Sequence, residues 1–200
     1  MTKVKICGLM TAADVNAVNS AQPDYAGFVF ARGRHQLDKQ NAAKLKRILD
    51  TKIQAVGVFM DTPASEIIDL FNAGIISVAQ LHGYGNQEMI GQLRTAGIVT
   101  IRVFVNEPIN ANLNANFSMI DSGYGSGNLR NLDNLNVDHT VFLAGGLTPI
   151  NVSQAINKIH PFAVDVSSGV ETDGKKDPEK INEFIKQVKR SDSYARTQTN

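Results

Sequence analysis

The chain has 200 residues, 42% apolar and 20% charged, with a formal net charge of +1. That length fits one domain whose core needs no covalent staples, and a single cysteine can form neither an internal disulfide nor a multi-cysteine zinc site. A charge this small gives no case for nucleic acid or an anionic membrane as partner; with no spanning apolar run and no signal-peptide core after Met1, a soluble cytoplasmic protein is expected.

The first element is Val4-Lys5-Ile6-Cys7-Gly8, a short strand running into a turn. Side chains alternate across a strand, so Val4 and Ile6 share an apolar face, and Lys5 and Cys7 share the other. Further β-branched runs at 25–30, 54–59, 77–82, 99–105, 117–122, 140–146 and 162–169 bring the candidate strands to eight. Between them lie segments of helical periodicity at 41–49, 64–73 and 150–159, and a last one at 179–188. Thr62-Pro63, Thr148-Pro149 and Asp177-Pro178 each place a capping oxygen before a proline suited to the first helical turn. Strand–helix alternation of this kind predicts a parallel sheet, and eight units close into a compact (β/α)8 barrel of the TIM type. An open doubly wound sheet is the alternative, but no Gly-x-Gly-x-x-Gly follows the first strand. Residues 106–116 and 128–136 are rich in Asn, which predicts short or irregular helices after strands five and six. The barrel is expected to occupy residues 1–190 and a polar tail 191–200.

Polar residues fall on one parity where strands end. Lys5 and Cys7 share a face in the first strand, Gln80 and His82 in the fourth, Met119 and Asp121 in the sixth, Asp165 and Ser167 in the eighth. The C-terminal rim is where barrel enzymes build their sites. Each residue also has a plainer reading. Cys7 can be a small buried hydrophobe. Lys5 and Asp165, on neighbouring strands of a closed barrel, can be a structural ion pair. His82 can be a turn residue or a substrate contact, and Asp121 can cap an Asx turn. Ala144-Gly145-Gly146-Leu147 ends strand seven and Asp165-Val166-Ser167-Ser168-Gly169 ends strand eight. Glycines there let backbone amides approach an anion, so Gly145, Gly146, Ser167, Ser168 and Gly169 are the expected phosphate site.

Lys5-Ile6-Cys7-Gly8, Gly27-Phe28-Val29-Phe30, Val56-Gly57-Val58-Phe59, Gln80-Leu81-His82-Gly83, Ala144-Gly145-Gly146-Leu147, Val164-Asp165-Val166-Ser167-Ser168-Gly169-Val170-Glu171 and Gly174-Lys175-Lys176-Asp177 occur in this order. Their order and spacing resemble the phosphoribosylanthranilate isomerases of tryptophan biosynthesis over nearly the whole chain. The resemblance implies a barrel that performs an Amadori rearrangement of N-(5-phosphoribosyl)anthranilate without metal or organic cofactor. It implies Cys7 as general base and Asp121 as general acid; His82 and Asp165 are the expected substrate contacts. The family's arginine for the anthranilate carboxylate aligns with His35, and Arg34 stands beside it. After strand six, Gly125-Ser126-Gly127 is followed by Asn128-Leu129-Arg130 where the family has Phe-Asp-Trp. Another phosphosugar enzyme on the same fold and a non-catalytic phosphometabolite binder are the competing readings.

Overall fold

Eight parallel strands close in chain order: β1 Lys3–Cys7, β2 Tyr25–Val29, β3 Gln54–Phe59, β4 Val78–His82, β5 Val99–Val105, β6 Phe117–Asp121, β7 Val141–Ala144 and β8 Ala163–Val166. This computed structural model describes residues 1–83, 85–105, 109–121 and 141–197. Around the barrel run α1 Ala12–Ala21, α2 Lys39–Ile48, α3 Ala64–Asn72, α4 Gln87–Thr95, α5 Val152–Ile159 and α6 Pro178–Thr197. After β5 the described residues hold one 3-10 turn, Ala111–Leu113, in keeping with the Asn-rich sequence. The stretch after β6, with Gly125-Ser126-Gly127 and the Asn-rich run 128–136, lies outside the described residues.

Strand parity divides the core in two. Outward residues such as Val4, Ile6, Phe28, Leu81, Leu143 and Val164 pack against apolar helix faces in one large cluster. Inward residues Tyr25, Val56, Val78, Ile101, Val103, Met119, Phe142, Ala144 and Ala163 form a second cluster inside the barrel. Tyr25 and Phe117 open their strands and Phe162 precedes β8. With Phe142 they make an aromatic floor, Phe117 stacking on Phe162 at 4.9 Å and meeting Phe142 edge-on at 5.4 Å. That floor seals the N-terminal end, so polar inward side chains have room only above it, toward the C-terminal rim.

Helix starts depart from expectation in two places. Asp177 caps α6 through the amides of Glu179 and Lys180, as expected. At α3 the N-cap is Pro63 itself, with no side-chain cap, and the Thr62 hydroxyl donates to the Met60 carbonyl instead. At α5 the helix begins only at Val152; Thr148-Pro149 sits in a preceding turn, where Asn151 Oδ1 accepts from the Thr148 amide. α6 also runs through Thr197, over most of the residues read as a tail. Ser191 is buried and Asp192 accepts from both the amide and the hydroxyl of Thr2, at 2.7 and 2.9 Å, so this turn has packing and bonding of its own.

Candidate active site

Lys5 is fully buried, and its ammonium donates to both oxygens of Asp165, at 2.9 and 3.0 Å. The two are direct partners in the β1–β8 register, so the pair stands where the last strand meets the first. Burial works against the Lys5 charge, but Asp165 outweighs it and raises the ammonium above its ordinary value. Cys7 lies one inward position above Lys5, and its thiol is buried as well. Burial pushes that thiol up, and the opposing Lys5 charge is too weak to restore it. Gly27 is Cys7's partner on β2. A methyl group at Gly27 would stand 2.7 Å from Cys7 Sγ, so glycine there is what leaves space for the sulfur.

His82 and Asp121 end β4 and β6 on the inward parity, both half-buried. Burial holds His82 below the ordinary imidazole value, against the pull of the Asp121 and Asp165 carboxylates. Asp165 in turn feels Asp121 and Lys176. Cys7, His82, Asp121 and Asp165 therefore converge on one mouth, with Lys5 beneath them. Gln80, an inward position below His82, is buried, and its Oε1 has no hydrogen-bond partner among the described residues.

A second group of charges walls this mouth. After β8, a hairpin of β9 Glu171–Thr172 and β10 Lys175–Lys176 turns through Asp173 and Gly174, both at positive φ. The Glu171 carboxylate gathers three donors. Lys176 Nζ reaches Oε1 at 2.6 Å, His35 Nε2 reaches Oε1 at 2.8 Å, and Arg34 binds Oε2. Burial would raise Glu171, but these partners, Lys176 foremost, hold it below the ordinary carboxylate value. Lys176 also donates to the Ser167 carbonyl at 3.1 Å, which fixes the hairpin to the loop after β8. Burial and the Lys176 charge keep His35 below its ordinary value, against Glu171.

The expected phosphate loops lie at the ends of β7 and β8. Gly145 and Gly146 take φ of 94° and 68°, a backbone that side chains resist. Asn151 braces this loop, donating to the Gly146 carbonyl at 2.9 Å. Ser168–Val170 forms a 3-10 turn, with Ser168 exposed. Any side chain at Gly169 would collide with the Leu147 carbonyl oxygen, so the loops after β7 and β8 touch there.

The expected site residues thus gather at one rim. What sequence reasoning missed is Glu171 and Lys176 as members of it. The available signal was Thr172-Asp173-Gly174-Lys175, since Asp-Gly between two short runs marks a tight hairpin. The Arg34–His35 pair, expected to face a substrate carboxylate, is held by the carboxylate of Glu171.

The family model for N-(5'-phosphoribosyl)anthranilate (PRA) isomerase matches residues 4–187. N-(5'-phosphoribosyl)anthranilate isomerase of Lacticaseibacillus casei (strain BL23) is 50% identical over 195 residues, covering 97% of this chain and 98% of that protein. The crystal structure of TrpF from Jonesia denitrificans superposes with a TM-score of 0.84 at 28% identity, over 96% of this chain and 98% of that one. A phosphoribosyl anthranilate isomerase in complex with reduced 1-(o-carboxyphenylamino)-1-deoxyribulose 5-phosphate superposes at 0.78 with 31% identity, over 95% of this chain and 100% of that one. With matches of this extent, the chain belongs to the N-(5'-phosphoribosyl)anthranilate isomerase family.

Proposed function

We infer that the chain carries out its family's isomerisation, converting N-(5'-phosphoribosyl)anthranilate to 1-(2-carboxyphenylamino)-1-deoxyribulose 5-phosphate, with Asp121 as general acid and Cys7 as general base. Two proton transfers are needed. The acid protonates the ribose ring oxygen and the ring opens to an iminium. The base then removes the proton at C2, giving an enolamine that tautomerises to the ketone. One group must start protonated and the other must accept a proton. Burial favours the protonated form of the Cys7 thiol. The thiol must first lose its proton to solvent, and the positive charge of the iminium stabilises the resulting thiolate, which then takes the C2 proton. The observation that carries this reading is the placement of Cys7 and Asp121 at inward strand ends of one mouth, in a member of this family.

Gly145, Gly146, Ser167, Ser168 and Gly169 would hold the phosphate, and Arg34 the anthranilate carboxylate, since a guanidinium pairs with a carboxylate through two hydrogen bonds. His82 and Asp165 would meet the sugar. The ligand is a small charged phosphosugar, which cannot leave across a bilayer unaided, and we place the reaction in the cytoplasm; no helix among the described residues is long and apolar enough to cross a membrane.

Loss of the anthranilate substrate's fluorescence measures turnover. Cys7→Ala and Asp121→Asn should each lower kcat on the order of 10²–10⁴-fold, as for a lost general base or acid, with melting temperatures near wild type. Near wild-type turnover in either variant would remove that residue from its role. Tight binding of the reduced product without turnover by the wild type would favour a non-catalytic barrel.

A further inference from the structure

Glu171 does more than brace the hairpin. Its Oε1 lies 2.8 Å from His35 Nε2, and a carboxylate only accepts, so Nε2 carries the hydrogen. In a neutral ring the other nitrogen, Nδ1, is then an acceptor. That edge of the ring lies against the end of β1. A methyl group built at Gly8 would stand 3.1 Å from Nδ1, 3.0 Å from His35 Cγ and 2.9 Å from Ser167 Oγ. Gly8 directly follows Cys7, and Nδ1 has no hydrogen-bond partner among the described residues. The neutral form is favoured by burial and by Lys176, which shares the same carboxylate oxygen.

We propose that Glu171 is a positioning residue that locks His35 as its Nε2–H tautomer, so that Nδ1 presents a hydrogen-bond acceptor beside Cys7 for a hydroxyl or amine hydrogen of the bound sugar–amine. The ligand part rests on the isomerase reading; the tautomer part does not. An acceptor at Nδ1 repels a carboxylate, so this arrangement assigns the anthranilate carboxylate to Arg34 and a donor group to His35. The same carboxylate that orders His35 also anchors Arg34, so one residue sets both.

Long-range 15N–1H NMR of the labelled protein reads the tautomer, with His35→Asn used to assign the signals. The wild type should give the Nε2–H pattern for His35. Glu171→Gln keeps the shape, but its amide can present either oxygen or nitrogen, so the pattern should shift to a mixture of tautomers. Affinity for reduced 1-(o-carboxyphenylamino)-1-deoxyribulose 5-phosphate should fall about ten-fold in Glu171→Gln and in His35→Phe, the scale of one lost hydrogen bond with a partner left unsatisfied. Glu171→Asp should recover part of it. A His35 tautomer unchanged in Glu171→Gln, or unchanged affinity in both variants, overturns the proposal and leaves Glu171 a brace, whatever its melting temperature. Absence of turnover in the wild type would count against the isomerase reading alone, because the spectrum and the binding data are read without turnover.

Discussion

Cys7 has two neighbours that act on it in opposite senses. Burial favours the thiol, and the Lys5 ammonium favours the thiolate but is itself engaged by Asp165. Because burial wins, the folded-state value lies above the ordinary 9.0, and only the deprotonated form can take the C2 proton. We predict that kcat climbs with pH from 7 toward 9; a flat profile over that interval, with the protein folded throughout, would contradict Cys7 as the base. The position of Cys7 was legible from strand parity alone, because alternation across a strand admits two faces and the apolar one was taken by Val4 and Ile6. Its protonation state was not legible. That depends on burial and on the Lys5 ammonium, whose carboxylate partner lies 160 residues beyond Lys5, which no local pattern encodes. Glu171 escaped for a related reason, since two of its three partners, Arg34 and His35, lie 137 and 136 residues earlier.

The strands were readable because β-branched runs bounded by turns carry a period of two and little else competes with it. α2, α3, α5 and α6 were readable from their apolar stripes, though α5 starts two residues late, after the Thr148-Pro149 turn, and α6 runs on to Thr197. α1 and α4 were not singled out. The sequence does mark α1, by the reciprocal bonds between the Thr11 hydroxyl and the Asp14 amide and between Asp14 and the Thr11 amide. Glycines separate by element. Gly27 faces the β1 backbone, with Cys7 Cα 3.0 Å from a built methyl, whereas a methyl at Gly91 in α4 meets nothing within 4 Å among the described residues. Gly27→Ala should cost about 1–3 kcal/mol by overpacking and lower kcat by displacing the sulfur. Gly91→Ala should be neutral or stabilise by roughly 0.5–1 kcal/mol through helix propensity. Urea unfolding of both variants checks the contrast, and equal stabilities would show that β1 can yield at Cys7.

At the scale of the whole barrel, the Lys5–Asp165 pair joins the first strand to the last. Lys5→Met would leave the Asp165 carboxylate buried beside apolar groups, and breaking a buried pair this way costs about 3–5 kcal/mol. Replacing both, Lys5→Met with Asp165→Leu, should cost less than either single change, because no charge is then stranded. Chemical denaturation measures all three, and additive losses would show the two residues to be uncoupled. The closed architecture was foreseeable by counting strand–helix units. Nothing in the count revealed that the pair at the seam lies directly beneath the Cys7 thiol, so that the contact sealing the barrel also sets the charge around that sulfur.

Synthesis on a ribosome gives this seam an order in time. β1 emerges early, yet its second neighbour is β8, and the partner of Lys5 is the 165th residue made. Contacts this remote in sequence form late and slowly. Every nascent chain that stops short of β8 holds a lysine without its counter-ion and two unpaired sheet edges, on β1 and on the last strand so far completed. Such edges pair readily with other chains. The mouth is therefore completed only once β8 and the hairpin behind it have been made, and a chain stalled before residue 165 lacks that site and is exposed to aggregation.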